Sequence, residues 1–419
     1  MRTAGWLMGL MVGLAPAAWA CGYGPEETLE HLLAEHARRE AAGEGPEALA
    51  ELEARIDEVA GARDAAFSGL FWHRDLAQAR QVAAAEGKPV LSLRLLGELT
   101  SERSCANSRF FRVALYADVE LARWLRDDVV LHWESVRPAP RITIDMGDGR
   151  KLERTIAGNS IHYLLLPDGT VVDALPGLYG PGAFADALRP AVQAARVALT
   201  LPEQRRAAVI ASYQRAAHLR LSQAAAQVGA AQDGAQVGAR PGARPGMRDG
   251  GRMGAGDDAR NDTWAGGGRR GGLPTAADAA PLAMGKAMVE RPMLTALGQT
   301  PPPDDPAWTV AGAAYLERCR LDARSRRLLG RKLPADRRDG LVAVTRRFEE
   351  VMARDTAQNE LRHRPTLLAW LLAGAGADLA ALNRRVYAEL FRTPDDDPWL
   401  GLAPADELAA IDGGGLTGP

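Results

Sequence analysis

The sequence is poor in cysteine: Cys21, Cys105 and Cys319 are the only three in 419 residues. A disulfide framework needs more cysteines than this, so we expect free thiols and a fold that depends on apolar burial. Long apolar runs are also scarce, because no stretch of about 18 apolar residues follows the amino-terminal segment. We therefore predict no membrane-spanning helix beyond that segment.

Signatures of the common catalytic classes are absent as well. The chain has no Gly-x-Ser-x-Gly, no phosphate-binding loop, no dinucleotide fingerprint, no His-Glu-x-x-His and no Cys-x-x-Cys. Basic and acidic residues nearly balance, with 51 Lys and Arg against 53 Asp and Glu, so nucleic acid is not an expected partner. We predict no cofactor and no bound metal.

The amino terminus has the pattern of a signal peptide over residues 1–20. Arg2 precedes an apolar run over residues 4–18, and Ala18-Trp19-Ala20 is a small-x-small cleavage signal. The pattern predicts export to the periplasm or cell envelope. It leaves Cys21 as the first mature residue, where either a lipid anchor or plain secretion would fit, because Ala18 stands where bacterial lipoproteins usually carry a branched apolar residue.

The length of the chain favours more than one folded unit. Helical spacing predicts a hairpin of helices within residues 21–65, and strand and helix patterns alternate over residues 66–200. The following ranges are predicted to be a helical extension (201–222), a disordered linker rich in Gly, Ala, Arg and Pro (223–306), a separate small all-α carboxy-terminal domain (307–412) and a flexible tail (413–419).

Three segments within residues 66–200 carry a resemblance to a known fold. They are Phe71-Trp72-His73-Arg74-Asp75-Leu76, Glu86-Gly87-Lys88-Pro89-Val90 and Leu166-Pro167-Asp168-Gly169-Thr170-Val171-Val172. This pattern resembles thioredoxin-like domains, in which a Trp precedes an alanine-rich helix, a Lys-Pro pair enters the central strand, and an Asp-Gly hairpin follows. The resemblance implies an α/β fold with a thioredoxin-like central sheet flanked by helices.

The same resemblance assigns a site at Cys105-Ala106-Asn107-Ser108, where the family carries Cys-x-x-Cys. A helix N-terminus stabilises a thiolate, and we expect Arg103 and Arg109 to add positive charge and Ser108 to donate a hydrogen bond to the sulfur. Because serine replaces the second cysteine, Cys105 could form a mixed disulfide but could not resolve it within the chain.

Two histidines are candidates for a supporting role at this site, and a nearby stretch departs from the family pattern. His132 and His162 could act as base or proton donor beside the thiol, or simply lie satisfied at a sheet edge. The family places a proline beside its active cysteine, whereas the matching stretch here is Gly158-Asn159-Ser160-Ile161-His162.

Two functions follow from these observations. The first is an exported monothiol protein in which Cys105 exchanges disulfides with, or reduces, oxidised thiols of protein clients or a low-molecular-weight thiol. The alternative is a non-catalytic thioredoxin-fold binding or scaffold module of the cell envelope, with Cys105 as a small buried residue that caps a helix.

The carboxy-terminal region has one polar cluster that deserves comparison with a metal site. Asp355, Asn359 and His363 are four residues apart on one helix, with Glu360 beside them. Since three or four converging ligands are needed, we predict helix capping and surface pairing instead of metal binding. Cys319 is predicted to be a buried or half-buried helical residue.

Overall fold

A computed structural model describes residues 28–155, 158–238 and 306–396 of the chain. The predicted signal peptide, Cys21, most of the predicted linker (239–305) and residues 397–419 lie outside the described residues.

Helices and strands alternate through the first two described ranges. Their bounds are α1 Leu29–Ala41, α2 Pro46–Ala60, α3 Ala65–Ser68, α4 Leu76–Glu86, β1 Val90–Leu96, α5 Ala106–Phe110, α6 Val119–Asp128, β2 Val130–Arg137, β3 Arg141–Asp145, β4 Lys151–Thr155, β5 Ser160–Leu165, β6 Val171–Pro176, α7 Pro181–Leu199 and α8 Glu203–Gly238. A π-helical turn, Phe111–Leu115, continues α5.

The carboxy-terminal range is helical throughout. It contains α9 Pro306–Ala313, α10 Ala323–Lys332, α11 Leu341–Gln358, α12 Arg364–Leu372 and α13 Leu379–Arg385. Two π-helical turns, Asn359–His363 and Val386–Leu390, follow α11 and α13 respectively.

Local signals explain where several of these helices begin and end. Asp75 caps α4 by accepting hydrogen bonds from the N–H groups of Ala77 and Gln78, and Gly87 ends this helix at a φ of 64°. That left-handed conformation favours glycine, so the sequence marks both ends of the helix. Asp118 caps α6 in the same way through the N–H of Leu121.

The central sheet has four strands in the order β2-β1-β5-β6. Strand β1 is parallel to β2 and antiparallel to β5, and β5 is antiparallel to β6. Every residue of β1, β5 and β6 is buried, as expected where helices cover both faces of a sheet. The prediction of an α/β fold with a central sheet flanked by helices is thus confirmed at this level. A separate two-stranded sheet, β3-β4, is inserted between β2 and β5.

The carboxy-terminal helices share the core of the sheet. Leu367, Leu368 and Tyr387 belong to the same cluster of buried apolar residues as Leu93 and Tyr163 of the sheet. The described residues therefore do not confirm the expected separate domain, because these helices bury apolar side chains in the same core as the sheet.

The helical extension is longer than predicted. Helix α8 ends at Gly238, whereas the sequence placed the start of a disordered linker at residue 223. Ala224, Ala225 and Val228 pack beside Trp308 and the buried Ala357. This stretch therefore buries apolar side chains, which its composition of small residues did not predict.

Candidate functional site

Cys105 lies at the start of α5, the helix that follows β1. Its N–H donates to the carbonyl of Leu96, the last residue of β1, over 3.2 Å. Its Sγ accepts the N–H of Ser108 at 3.5 Å and so caps α5. The side chain has no solvent exposure, so the thiol is a buried capping group in this structure.

Ser108 is equally buried, and its hydroxyl points to other partners than the sulfur. The Oγ lies 2.6 Å from Ser104 Oγ and 3.0 Å from the carbonyl oxygen of Cys105. The contact with Sγ comes from the backbone of Ser108. The hydroxyl is therefore occupied in holding the loop before α5 against the first turn of the helix.

The two arginines of the predicted site have different surroundings. Arg103 is exposed and pairs with Glu153 of β4 at 2.8 Å, which directs its charge to the two-stranded sheet. Arg109 is half-buried near the thiol, and burial lowers its pKa even though Cys105 acts in the opposite direction. Its Nε and one Nη find no hydrogen-bond partner in the described part of the chain.

His162 lies on β5 with its whole side chain buried. Its Nε2 is 2.7 Å from the hydroxyl of Tyr116, and its ring packs against Phe111 and Phe184. Burial among these aromatic rings lowers the pKa of His162 to about 3. The imidazole is therefore neutral at physiological pH and cannot serve there as a charged proton donor.

His132 lies on the opposite face of the sheet. Ser92 faces both His132 on β2 and Tyr163 on β5, whereas His162 faces Leu93. The Nδ1 of His132 is 2.9 Å from Ser92 Oγ, and burial together with Arg94 lowers its pKa to about 3. Ser92 and Leu93 are neighbours on β1, and neighbouring side chains of a strand point to opposite faces of the sheet. The structure therefore does not bring the two histidines together.

The chain itself covers the end of the sheet next to Cys105. In the stretch that the resemblance places beside the cysteine, Asn159 donates to Thr393 Oγ1 at 3.0 Å and accepts the hydroxyl of Tyr387 at 3.1 Å on its carbonyl. On the other side, Thr155 donates to the carbonyl of Ser104. The segment from Tyr387 to Thr393 thus packs against the start of β5. More than 220 residues separate it from Asn159, so sequence patterns could not reveal it.

A second polar cluster, which sequence analysis missed, fixes the carboxy-terminal helices to the sheet. Arg364 is fully buried, and its guanidinium donates to Asp173 of β6 at 2.5 Å and to Glu360 at 2.8 Å. Tyr213 of α8 donates to Asp173, and Tyr179 donates to Glu360. Burial alone would lower the pKa of Arg364, but Asp173 and Glu360 outweigh it and raise the pKa well above its usual range, which keeps the guanidinium charged. The network joins the sheet, α8 and α12.

The polar cluster at the end of α11 and in the π-helical turn that follows it is buried, not surface-exposed as predicted. Asp355, Asn359, Glu360 and His363 are all at most 5% exposed, and burial lowers the pKa of His363 to about 3. Asn359 donates to the carbonyl of Leu178, so the cluster docks onto the loop after β6. Within the three described ranges, no group of His, Cys, Asp or Glu side chains could hold a metal ion.

Cys319 is fully buried, as predicted. Its Sγ lies 3.6 Å from Thr356 Oγ1, and burial raises the pKa of this thiol to about 12. Cys105 and Cys319 are both free. Neither of the two cysteines in the described part of the chain is exposed to solvent.

An open cavity of about 800 Å³ lies at the end of the sheet opposite to Cys105. Its floor is formed by Val171, Ile210 and Leu371, all of which are nearly buried, and Arg80 and Asp168 lie at its polar side. The position follows from the register, because Val90 at the start of β1 pairs with Leu165 next to the β5-β6 turn, whereas Cys105 follows the end of β1. Its volume is in the range of small-molecule sites.

No protein-family model, no curated protein and no solved structure matches this chain. Among the described helices, none combines the length and the apolar character that a membrane span requires.

Proposed function

We propose that the chain is an exported, non-catalytic thioredoxin-like module of the cell envelope, which binds a ligand or partner and does not exchange disulfides. Support for the fold comes from the order of elements. Lys88-Pro89 enters a central strand, a helix and a parallel strand follow, and Pro167-Asp168-Gly169 connects an antiparallel pair. These are the features that the resemblance implies.

The observation that carries the functional proposal is the complete burial of Cys105. Reactive cysteines are at least partly accessible, because an attacking thiolate must reach the sulfur of its client in line with the disulfide bond. Here Asn159, Tyr387 and Thr393 are hydrogen-bonded at the end of the sheet, and the Sγ of Cys105 serves as a helix cap. A buried cysteine in this role contributes to packing, like other small apolar residues.

The ligand site that this proposal assigns is the cavity at the opposite end of the sheet. Its aliphatic floor suits an apolar group, and Arg80 and Asp168 supply polar contacts at its margin. Arg80 is held in place because its Nε donates to the carbonyl of Pro167 at 2.7 Å. The guanidinium of Arg80 is therefore held in a fixed position next to the turn between β5 and β6.

Trapping with glutathione disulfide tests the absence of exchange chemistry. The native protein is incubated with this reagent, and mixed disulfides are located by peptide mass spectrometry. We expect no glutathione on Cys105 in the native protein and complete modification after unfolding in urea. The Cys105→Ser variant, which cannot carry glutathione at this position, confirms that the modified peptide is assigned to Cys105. Modification of native Cys105 at a rate near that of a free thiol would overturn the proposal.

Monothiol exchange is the second candidate function, and one observation favours it. Cys105 lies at a helix N-terminus with an N–H directed at its sulfur, and Arg109 is close by. Backbone donors and a cation of this kind stabilise a thiolate. This candidate requires the segment around Tyr387 to leave this end of the sheet, and it predicts that native Cys105 forms the mixed disulfide.

A further inference from the structure

Strand β3 of the two-stranded sheet has alternating exposed polar and half-buried apolar side chains. Among the described residues, β3 pairs only with β4. Side chains of Arg141, Thr143 and Asp145 are exposed on one face, and Ile142 and Ile144 are half-buried on the other. Neither isoleucine is fully buried. An isolated pair of strands is marginally stable, so further strands would stabilise it.

The hydrogen-bond pattern shows which backbone groups are available. The N–H of Met146 donates to the carbonyl of Arg150, so this pair belongs to the hydrogen-bonded type. Because the types alternate along antiparallel strands, Ile142 and Ile144 direct their backbone groups to β4, and Arg141, Thr143 and Asp145 direct theirs outward. The outer edge of β3 therefore offers three residues with unpaired donors and acceptors.

We propose that β3 pairs with β3 of a second copy of this chain, antiparallel and with a two-fold axis at Thr143. In this register Arg141 lies opposite Asp145 of the other copy, twice, and Thr143 lies opposite its equivalent. All three outward residues meet outward residues, which gives roughly six backbone hydrogen bonds. The two hairpins become one four-stranded sheet with isologous symmetry.

Charge complementarity selects this register over its neighbours. Within its own hairpin, Arg141 lies 3.9 Å from Glu153 and Asp145 lies 3.2 Å from Lys151. A slide by two residues places Arg141 opposite Thr143 and no longer sets it against Asp145 of the other copy, whereas the central register forms this opposite-charge pair twice. On the other face, Ile142 lies opposite Ile144 of the second copy in the closely spaced type of pair, which brings their side chains into contact. The half-buried isoleucines thereby gain an apolar partner.

The outer edge of β4 does not offer the same opportunity. The equivalent two-fold pairing would centre on Glu153 and place two glutamates opposite each other, which is unfavourable. Glu153 also pairs with Arg103, and the side chain of Thr155 donates to the carbonyl of Ser104, so β4 faces the body of its own chain. The pairing edge is therefore β3.

Two charge variants and their mixture test this assembly by sedimentation equilibrium at concentrations up to about 500 µM. The wild-type protein is expected to dimerise reversibly. Arg141→Asp alone places aspartates opposite each other, and Asp145→Arg alone places arginines opposite each other, so each is expected to weaken the dimer about tenfold or more. Mixing the two variants restores both pairs, and the heterodimer is expected to regain the wild-type Kd within about threefold.

The mixture also controls for local misfolding, because each variant hairpin is the same alone and in the mixture. Arg150→Asp, at an exposed position of the turn outside the pairing edge, is expected to leave the Kd unchanged. A wild-type protein that stays monomeric overturns the proposal. So does a dimer that both variants leave intact, or a pair of variants whose mixture fails to associate.

Discussion

The side chain of His162 on β5 is buried against the rings of Phe111 and Phe184, and its Nε2 is within hydrogen-bonding distance of the Tyr116 hydroxyl. From the sequence we expected that this histidine could lie beside the thiol of Cys105. The sequence could not reveal the aromatic enclosure, since Phe111 and Phe184 come from two other elements. The enclosure changes the expected role from proton transfer to packing.

Acid sensitivity is the measurable consequence of that burial. The pKa of His162 in the folded protein is about 3, below the value of about 6.5 for an unfolded chain. Between these values the unfolded state binds a proton that the folded state does not, so stability is fully present above about pH 6.5 and is lost as the pH falls.

We therefore expect His162→Gln to remove part of the pH dependence of unfolding. The wild-type protein should lose about 2 kcal/mol more than the variant between pH 7 and pH 5, measured by urea denaturation at both pH values. The matched control is His31→Gln, because His31 is exposed and should leave the difference unchanged. Equal pH dependence in wild-type protein and His162→Gln would contradict the burial of this ring.

At the scale of the elements, local sequence patterns predicted the central sheet and the helices around it. Asp75 and Gly87 mark the ends of α4, and the Pro167-Asp168-Gly169 turn marks the hairpin of β5 and β6. The end of α8 did not follow, because alanine-rich and glutamine-rich sequence supports either a helix or a linker until a packing surface is known. Trp308 and Ala357 supply that surface.

At the same scale, the cavity between α8, the β5-β6 turn and the start of α13 gives a binding prediction. Ala211 of α8 lines it, and Ala211→Trp would fill part of its volume. The fluorescent probe anilinonaphthalene sulfonate, which combines an apolar ring system with an anionic group, is expected to bind the wild-type protein and to bind Ala211→Trp at least about fivefold more weakly.

Ser212→Trp is the control for this experiment, since residue 212 is exposed on the same helix and does not line the cavity. It adds the same indole without entering the cavity, and its probe affinity should equal that of the wild-type protein. Equal weakening by both variants, or by neither, would show that the probe binds elsewhere.

For the whole molecule, the main difference from expectation is that the carboxy-terminal helices are docked onto the sheet. The contacts that hold them join residues far apart in sequence, such as Asp173 and Arg364, which are 191 positions apart. Periodicity reports which face of a helix is apolar, but not which surface covers that face. Arg364 was also an unlikely candidate from sequence, because arginine is rarely buried unless paired.

Arg364→Met tests how much this network contributes. Removing the guanidinium leaves Asp173 and Glu360 buried without their cation, so we expect a loss of about 3–5 kcal/mol in the free energy of unfolding, measured by urea denaturation. Arg346→Met removes an exposed ion pair with Glu350 and should change stability by less than about 0.5 kcal/mol. A small effect of Arg364→Met would mean that the helices dock by other contacts.

The buried state of Cys105 is the central claim for the function, and its rate of alkylation by iodoacetamide measures it most directly. The label is located by peptide mapping, so that Cys319 serves as a second buried thiol in the same sample. If labelling requires opening of the structure, native Cys105 should react at least about a thousandfold more slowly than the same residue in the urea-unfolded protein. A native rate within about tenfold of the unfolded rate would contradict the proposal and favour a reactive thiol at the start of α5.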